Sequence, residues 1–225
     1  MCHEFYDFEA GYREEVDDGN SRGEGGCSGV MICEIIDDLF DKRFLHNFFS
    51  VVENLPYVAN NTANRKSWPY GEKAAHKLMG LPIFERSSLN RINVLHHQSA
   101  PQFFDIFEAI SDYKQQEYYL NRIHLNMQHS GCDGTLHVDT FSDNIDITIM
   151  IMLNPEWKKH WGGQFQLFSE DRKKLLEEVD YVPGRVVLFP GHYPHRGLGA
   201  PKDYPYVYRY TTVFRVNPIQ TENTK

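Results

Sequence analysis

Two hydrophobic periods divide this chain. Between residues 41 and 54, Phe44, Leu45, Phe48, Phe49 and Val52 recur at spacings of three and four. That spacing places them on one face of a helix, and Asp41 stands where an N-cap belongs. A second helix is expected over 101–117. Pro101 opens it, and Phe103, Phe104, Phe107 and Ile110 share a face. Ahead of the first helix, VMICEIIDDLF is apolar and β-branched enough for a strand. From Tyr118 the period shortens to two. The runs YYLNRIHLNMQ, TLHVDT, IDITIMIML, GGQFQLF, GRVVLFPG and YVYRYTTVFRV read as strands. Turn residues such as Asn154-Pro155, Pro183-Gly184 and Pro190-Gly191 separate them. In IDITIMIML the aliphatic residues Ile145, Ile147, Ile149, Ile151 and Leu153 all fall on one face. Strands at this spacing imply an antiparallel sandwich or jelly roll. The helices before them are expected to pack on the outer face of one sheet. The fold class is therefore mainly β with flanking helices.

The length of 225 residues suits one domain with a real core. Residues 1–29 are rich in glycine and charge and read as a loosely ordered leader. A single domain is expected over 30–217, with a helix-containing support (30–117), a jelly-roll core (118–217) and a tail (218–225). A net charge of −8 argues against a nucleic-acid partner, whose phosphates are held by Lys and Arg. No apolar run approaches the ~20 residues that span a bilayer, so no membrane is expected. The N-terminal MCHEFYDFEA lacks the basic and apolar regions of a signal peptide. Cys2, Cys27, Cys33 and Cys132 form no CxxC pair, which fits free thiols in a reducing, cytoplasmic setting.

Chemistry enters at GTLHVDTFS. His137 and Asp139 are two apart, so in an extended strand they face the same way and could share one ligand. A chain with 11 His among its 225 residues supplies close to one His-x-Asp pair by chance, and a solvated edge strand would explain it equally. The pair gains meaning from residues further along the chain. His192 and His195 in GHYPHRG offer a third ligand. Two histidines and one carboxylate occupy one face of an octahedral Fe(II) and leave positions open. A structural zinc site would close with four ligands, and no cysteine is suitably spaced. A bound carboxylate would need a fixed cation. Arg209 lies on the last strand, and Thr211 shares its face with a hydroxyl to add. Arg215 shares that face too, but near the strand's end, where solvent is expected.

The order HVD, WGGQFQLF, PGRVVLFPGHYPH, RYTTVF resembles the 2-oxoglutarate- and Fe(II)-dependent dioxygenases, in their prolyl 4-hydroxylase-like branch. The resemblance spans about 118–216. It implies a double-stranded β-helix core. It also implies that His137, Asp139 and His195 bind the metal, with Arg209 and Thr211 at the far carboxylate of 2-oxoglutarate. Asn126, or His124 two before it on the same face, would stand near the cosubstrate. The implied reactants are Fe(II), 2-oxoglutarate and O2, and the implied reaction is C–H hydroxylation with release of succinate. A prolyl residue in a peptide or protein is the expected substrate, with a free amino acid or other small molecule as the alternative. A nucleic-acid demethylase fits the charge poorly. Many prolyl hydroxylases carry Tyr on the strand before the metal pair and Lys on the last strand, and this chain departs at both.

Two other classes compete: a zinc hydrolase on the same triad, and a metal-free binding module. The first lacks a positioned glutamate and leaves Arg209 without a task. Ile147, Ile149 and Phe189 are expected to form a dry wall beside the metal. Trp157, Trp161 and Gly162-Gly163 read as core packing and a bulge in preference to a substrate platform. Trp68-Pro69-Tyr70 reads as an anchored loop or part of a lid, and the turn Ser142-Asp143-Asn144 as a candidate substrate contact.

Overall fold

The structure, a computed structural model, describes residues 32–61, 78–86, 92–94, 100–140 and 146–219. The leader 1–29, the loop around Trp68 and the turn Ser142-Asp143-Asn144 lie outside those residues. In chain order the elements are β1 (Glu34–Ile36), α1 (Lys42–Val52), β2 (Val58–Asn61), β3 (Leu78–Arg86), β4 (Ile92–Val94) and α2 (Ala100–Lys114). Then come β5 (Tyr118–His129), β6 (Ile147–Met152), β7 (Phe165–Phe168), β8 (Leu175–Val179), β9 (Val186–Pro190), β10 (His195–Gly197) and β11 (Tyr208–Pro218).

The strands form two sheets. The larger runs β1-β9-β6-β11-β5-β3-β2, with β4 beside β3, and the smaller runs β10-β7-β8. Every pairing among them is antiparallel. This is the mainly β, jelly-roll architecture that the alternating runs predict. Long β11 lies at its centre, between β5 and β6.

The helices start where the pattern places them. The Asp41 carboxylate accepts the Phe44 N–H at 2.7 Å, satisfying one free donor of the first turn of α1. Leu45, Phe48 and Val52 of α1 are buried. Phe48 and Val52 join Phe103, Ile106 and Ile110 of α2 in one apolar cluster. That cluster also holds Ile123 and Leu125 of β5, Ile149 and Ile151 of β6, and Phe214 and Val216 of β11. The helices therefore cover the outer face of the larger sheet. Each fully buried Ile or Phe there is worth about 1.5–3 kcal/mol relative to exposure. The alternate residues face the smaller sheet, where Met150 and Met152 pack with Phe165, Leu167 and Phe189.

Several expectations change. Ile149 belongs to the helix-covered cluster, with Ile147 packed against it, so neither lines the inner cavity. The pleat sends odd residues of β6 outward, and Met150 takes the inner place. TLHVDT is not a regular strand: His137 makes one isolated bridge, to His195. The Asp139 N–H turns instead to the Gly191 carbonyl at 2.9 Å, in the turn after β9. The apolar run at 30–40 yields only the short β1. Two longer strands carry no clean alternation. LLEEV forms the edge of the smaller sheet with charged residues facing out. LMGLPIFER holds a glycine and a proline, and its register with β5 shifts at Pro82/Phe84. Among the described residues, no helix is long and apolar enough to cross a membrane.

Candidate active site

The inner faces of the two sheets enclose a cavity of about 190 Å³. From Arg122 to Gln128 the even-numbered residues of β5, and from Arg209 to Arg215 the odd-numbered residues of β11, line it, because neighbouring antiparallel strands share faces in register. Arg209 pairs with Gln128, Thr211 with Asn126, Val213 with His124 and Arg215 with Arg122. All eight line the cavity.

His137, Asp139 and His195 meet in its wall, with candidate ligand atoms all within 4.8 Å of one another. Backbone pairing fixes the two histidines: the His137 N–H reaches the His195 carbonyl at 3.1 Å, and the return bond is 2.8 Å. Their rings are held alike. Nδ1 of His137 lies 2.8 Å from the Thr135 carbonyl, and Nδ1 of His195 lies 2.9 Å from that of Tyr193. A carbonyl only accepts, so each Nδ1 carries the proton and each Nε2 keeps its lone pair. Both Nε2 atoms lie 3.6 Å from an Asp139 oxygen, His137 from Oδ1 and His195 from Oδ2. This is a facing set of two imidazoles and a carboxylate, with the outer nitrogens anchored as metal-ligating histidines usually are.

The electrostatics favour the charge states a cation needs. Burial drives the His195 imidazole down to about 4, with His137 adding to that and Asp139 opposing it, so it is neutral at pH 7. Burial by itself would raise the Asp139 carboxyl. Its neighbours His195 and His137, the Thr148 hydroxyl and Arg122 outweigh that and hold it below the ordinary range. The Thr148 hydroxyl donates to Oδ2 at 2.7 Å. His192 stands apart from this group, with its Nε2 3.9 Å from Glu170.

Arg209 lines the same cavity, beside Gly197 of β10. It is buried, and burial lowers it to about 10 against the effect of Tyr181, so it stays cationic at pH 7. Nε donates to the Gly163 carbonyl at 2.9 Å and one terminal nitrogen to Gln128 Oε1 at 2.7 Å. The Tyr181 ring lies 5.0 Å from the guanidinium carbon. The other terminal nitrogen is buried and has no partner among the described residues. A Cβ on Gly197 would lie 3.0–3.2 Å from the guanidinium, close enough to press on it.

The cradle of Arg209 went unread in the sequence. Gln128 was findable, because it continues the 122–124–126 alternation by one step. Tyr181 and Gly163 carried no local signal. Gly163 has φ of +82°, and a Cβ there would meet Trp157 at 2.7 Å. The Trp157 indole packs on Tyr181 at 4.3 Å between ring centres, so the tryptophan–glycine stretch is packing behind Arg209. Arg215 is half-buried and lines the cavity, against the expectation of a solvent-facing residue. Phe189 lines it as expected, together with Met150, Phe165 and Val213.

With this geometry in place, residues 123–214 match the family model of the 2OG-Fe(II) oxygenase superfamily. The match covers 92 of the chain's 225 residues. The matched span runs from β5 to β11 and so contains the cavity's two longest walls. No curated protein matches the sequence. Among solved structures, an oxidoreductase of the 2OG-Fe(II) oxygenase family from Burkholderia pseudomallei aligns with a TM-score of 0.64. It is 14% identical over 87% of this chain and 92% of that one. A prolyl hydroxylase from Trichoplax adhaerens, solved with a hypoxia inducible factor peptide fragment, aligns at 0.57, with 16% identity over 83% of each chain. HygX from Streptomyces hygroscopicus, solved with nickel, 2-oxoglutarate and hygromycin B, aligns at 0.56, with 13% identity over 83% of each. Likeness at these identities speaks for the fold. The matched region is that of the 2-oxoglutarate-dependent dioxygenases, a superfamily that uses Fe(II), 2-oxoglutarate and O2.

Proposed function

We propose that this oxygenase hydroxylates an unactivated C–H bond, that of a prolyl residue in a peptide or protein, with His137, Asp139 and His195 holding the iron. Arg209 binds the far carboxylate of 2-oxoglutarate, and Thr211 and Asn126 flank it. The observation that carries the cosubstrate assignment is the buried, partly unpartnered guanidinium of Arg209 in the same cavity as the triad. A zinc hydrolase would give it no role and would need a base. Asp139 is the sole carboxylate lining the cavity among the described residues.

When bound, iron and 2-oxoglutarate supply the oxidising power: dioxygen is divided between the substrate, which gains hydroxyl, and 2-oxoglutarate, which leaves as succinate and carbon dioxide. The protein's share is positional. The Thr135 and Tyr193 carbonyls keep the protons on Nδ1 of the two histidines. Thr148 orients Asp139. Gln128 and Gly163 aim Arg209. Met150, Phe165, Phe189 and Val213 keep the reacting region apolar and exclude water.

The cavity's size supports a substrate presented as a single small group. At about 190 Å³ it is below the ~300–1,000 Å³ of pockets that enclose drug-sized ligands. A prolyl ring entering from a peptide meets that limit. A free amino acid meets it too and is the second reading. The irregular cysteine spacing fits a cytoplasmic setting.

The test is succinate formation from 2-oxoglutarate by the protein reconstituted with Fe(II) under oxygen, with proline-containing peptides and free proline as added substrates. Peptide-stimulated succinate release and a hydroxylated prolyl residue by mass spectrometry are expected. Stimulation by free amino acids alone would replace the peptide reading.

A further inference from the structure

Two cavity-lining cations, Arg122 and Arg215, are not among the groups proposed to hold iron or 2-oxoglutarate. Arg122 and Arg215 are direct cross-strand partners of β5 and β11. Like charges facing each other across a ladder oppose the pairing, so their placement calls for a counter-charge. Among the described residues Asp139 is the one carboxylate lining the cavity; Arg122 acts on it through space, and it forms a direct ion pair with neither arginine. One terminal nitrogen of Arg215 donates to the Asp139 carbonyl at 3.1 Å. One terminal nitrogen of Arg122 lies 3.0 Å from Nδ1 of His124. An arginine only donates, so that Nδ1 accepts and the His124 proton sits on Nε2.

Three donors are then left over: Nε of Arg122, Nε of Arg215 and Nε2–H of His124. All three are buried without a hydrogen-bond partner among the described residues, and all three residues line the cavity. Buried N–H groups are rarely left so, and three together on cationic or imidazole side chains form a cradle suited to an oxyanion. The 2-oxoglutarate carboxylate is already assigned to Arg209. Arg209 and Arg215 are six residues apart on one strand, about 20 Å between their backbones at the usual rise, towards opposite ends of the β5–β11 ladder. The cradle instead borders the metal site. Thr148, which donates to Asp139, is the register partner of Arg215 on β6.

We infer that Arg122, His124 and Arg215 bind a carboxylate of the substrate to be hydroxylated, beside the reacting carbon. This rests on the oxygenase reading and narrows it: the substrate is an acid. Its carboxylate comes from a free amino acid or from an acidic residue next to the target proline. The cradle therefore sets specificity, separately from the Arg209 end.

Binding is measured by calorimetry on the full chain held without oxygen, with Fe(II) and 2-oxoglutarate present, so that nothing turns over. Four probes are used: L-proline, L-prolinamide, and capped Pro-Asp and Pro-Asn peptides. At least one acid should bind roughly tenfold or more tightly than its amide. The Arg122→Gln and Arg215→Gln variants should erase that difference, and Arg215→Lys should restore part of it. The free acid and the Pro-Asp peptide distinguish the two sources. If neither acid binds better than its amide, the inference falls. It also falls if the Gln variants lose 2-oxoglutarate affinity instead, which would assign the cradle to the cosubstrate. Iron and 2-oxoglutarate binding are read first in the same cell. Should they fail, the triad and Arg209 assignments fail on their own, and the acid–amide comparison is made on the metal-free protein, which keeps all three donors.

Discussion

β5 and β11 have two faces that do opposite work. Outward, Ile123, Leu125, Phe214 and Val216 disappear under the helices. Inward, Arg122, His124, Asn126 and Gln128 meet Arg209, Thr211, Val213 and Arg215 around the cavity. One backbone serves both because side chains alternate with a period of two. The apolar face secures the ladder, and the ladder in turn holds an inner face crowded with polar and charged groups that would not gather unaided. Outer positions should therefore answer to changes in volume, and inner positions to changes in chemistry.

The sharpest break should come at the triad. His137→Ala and Asp139→Ala each remove one of the three proposed ligands, and Fe(II)-dependent succinate formation should fall below detection. Calorimetric iron titration checks that metal binding, and not folding, is lost. On the outer face, Phe214→Ala should cost about 3–5 kcal/mol in denaturant unfolding, the usual range for a fully buried phenylalanine. The cosubstrate affinity of the molecules that stay folded should hardly change. Arg209→Ala should reverse that pattern. Loss of a buried charge partner, worth about 2 kcal/mol or more, should raise the 2-oxoglutarate requirement by about 30-fold or more. Unchanged affinity would remove Arg209 from the cosubstrate site. Thr148→Val deletes the hydroxyl behind Asp139 and should weaken iron binding by about tenfold or more.

A pH experiment probes the inner face more gently. Burial, reinforced by Arg122 and opposed by Asp139, pulls the His124 imidazole from 6.5 down to about 3. Between those values the unfolded chain binds a proton there that the folded protein does not. Stability therefore falls as pH drops through that window, by up to about 1.4 kcal/mol per pH unit. His124→Gln should remove that component of the slope in metal-free protein. An unchanged slope would mean that His124 is not held neutral.

Legibility followed the same division into faces. The helix stripe of α1 and its Asp41 cap needed only local spacing, and the structure has both. The alternation in β5, β6 and β11 named the residues that share a face, but not which face met the helices. That is why Ile149, expected beside the metal, lies on the helix side instead. β8 and β3 escaped because Leu175–Val179 is charged at an edge and Leu78–Arg86 contains Gly80 and Pro82.

By itself, the sequence determined the class of fold, the order of the motifs and the short list of ligands. These depend on periods of two and 3.6 and on which side chains can hold a metal or a carboxylate. Only the tertiary structure decided what needs distant chain segments to meet. The bridge between His137 and His195 selects His195 over His192 as the neighbour of the HVD pair. The register of β11 on β5 sets Arg215 opposite Arg122, and the packing behind Gly163 places Tyr181 beneath Arg209. Local sequence encodes direction along a strand, but pairing register and sheet closure are properties of the whole packed chain. The cavity, with Arg209 towards one end of β11 and Arg215 towards the other, exists only after that closure.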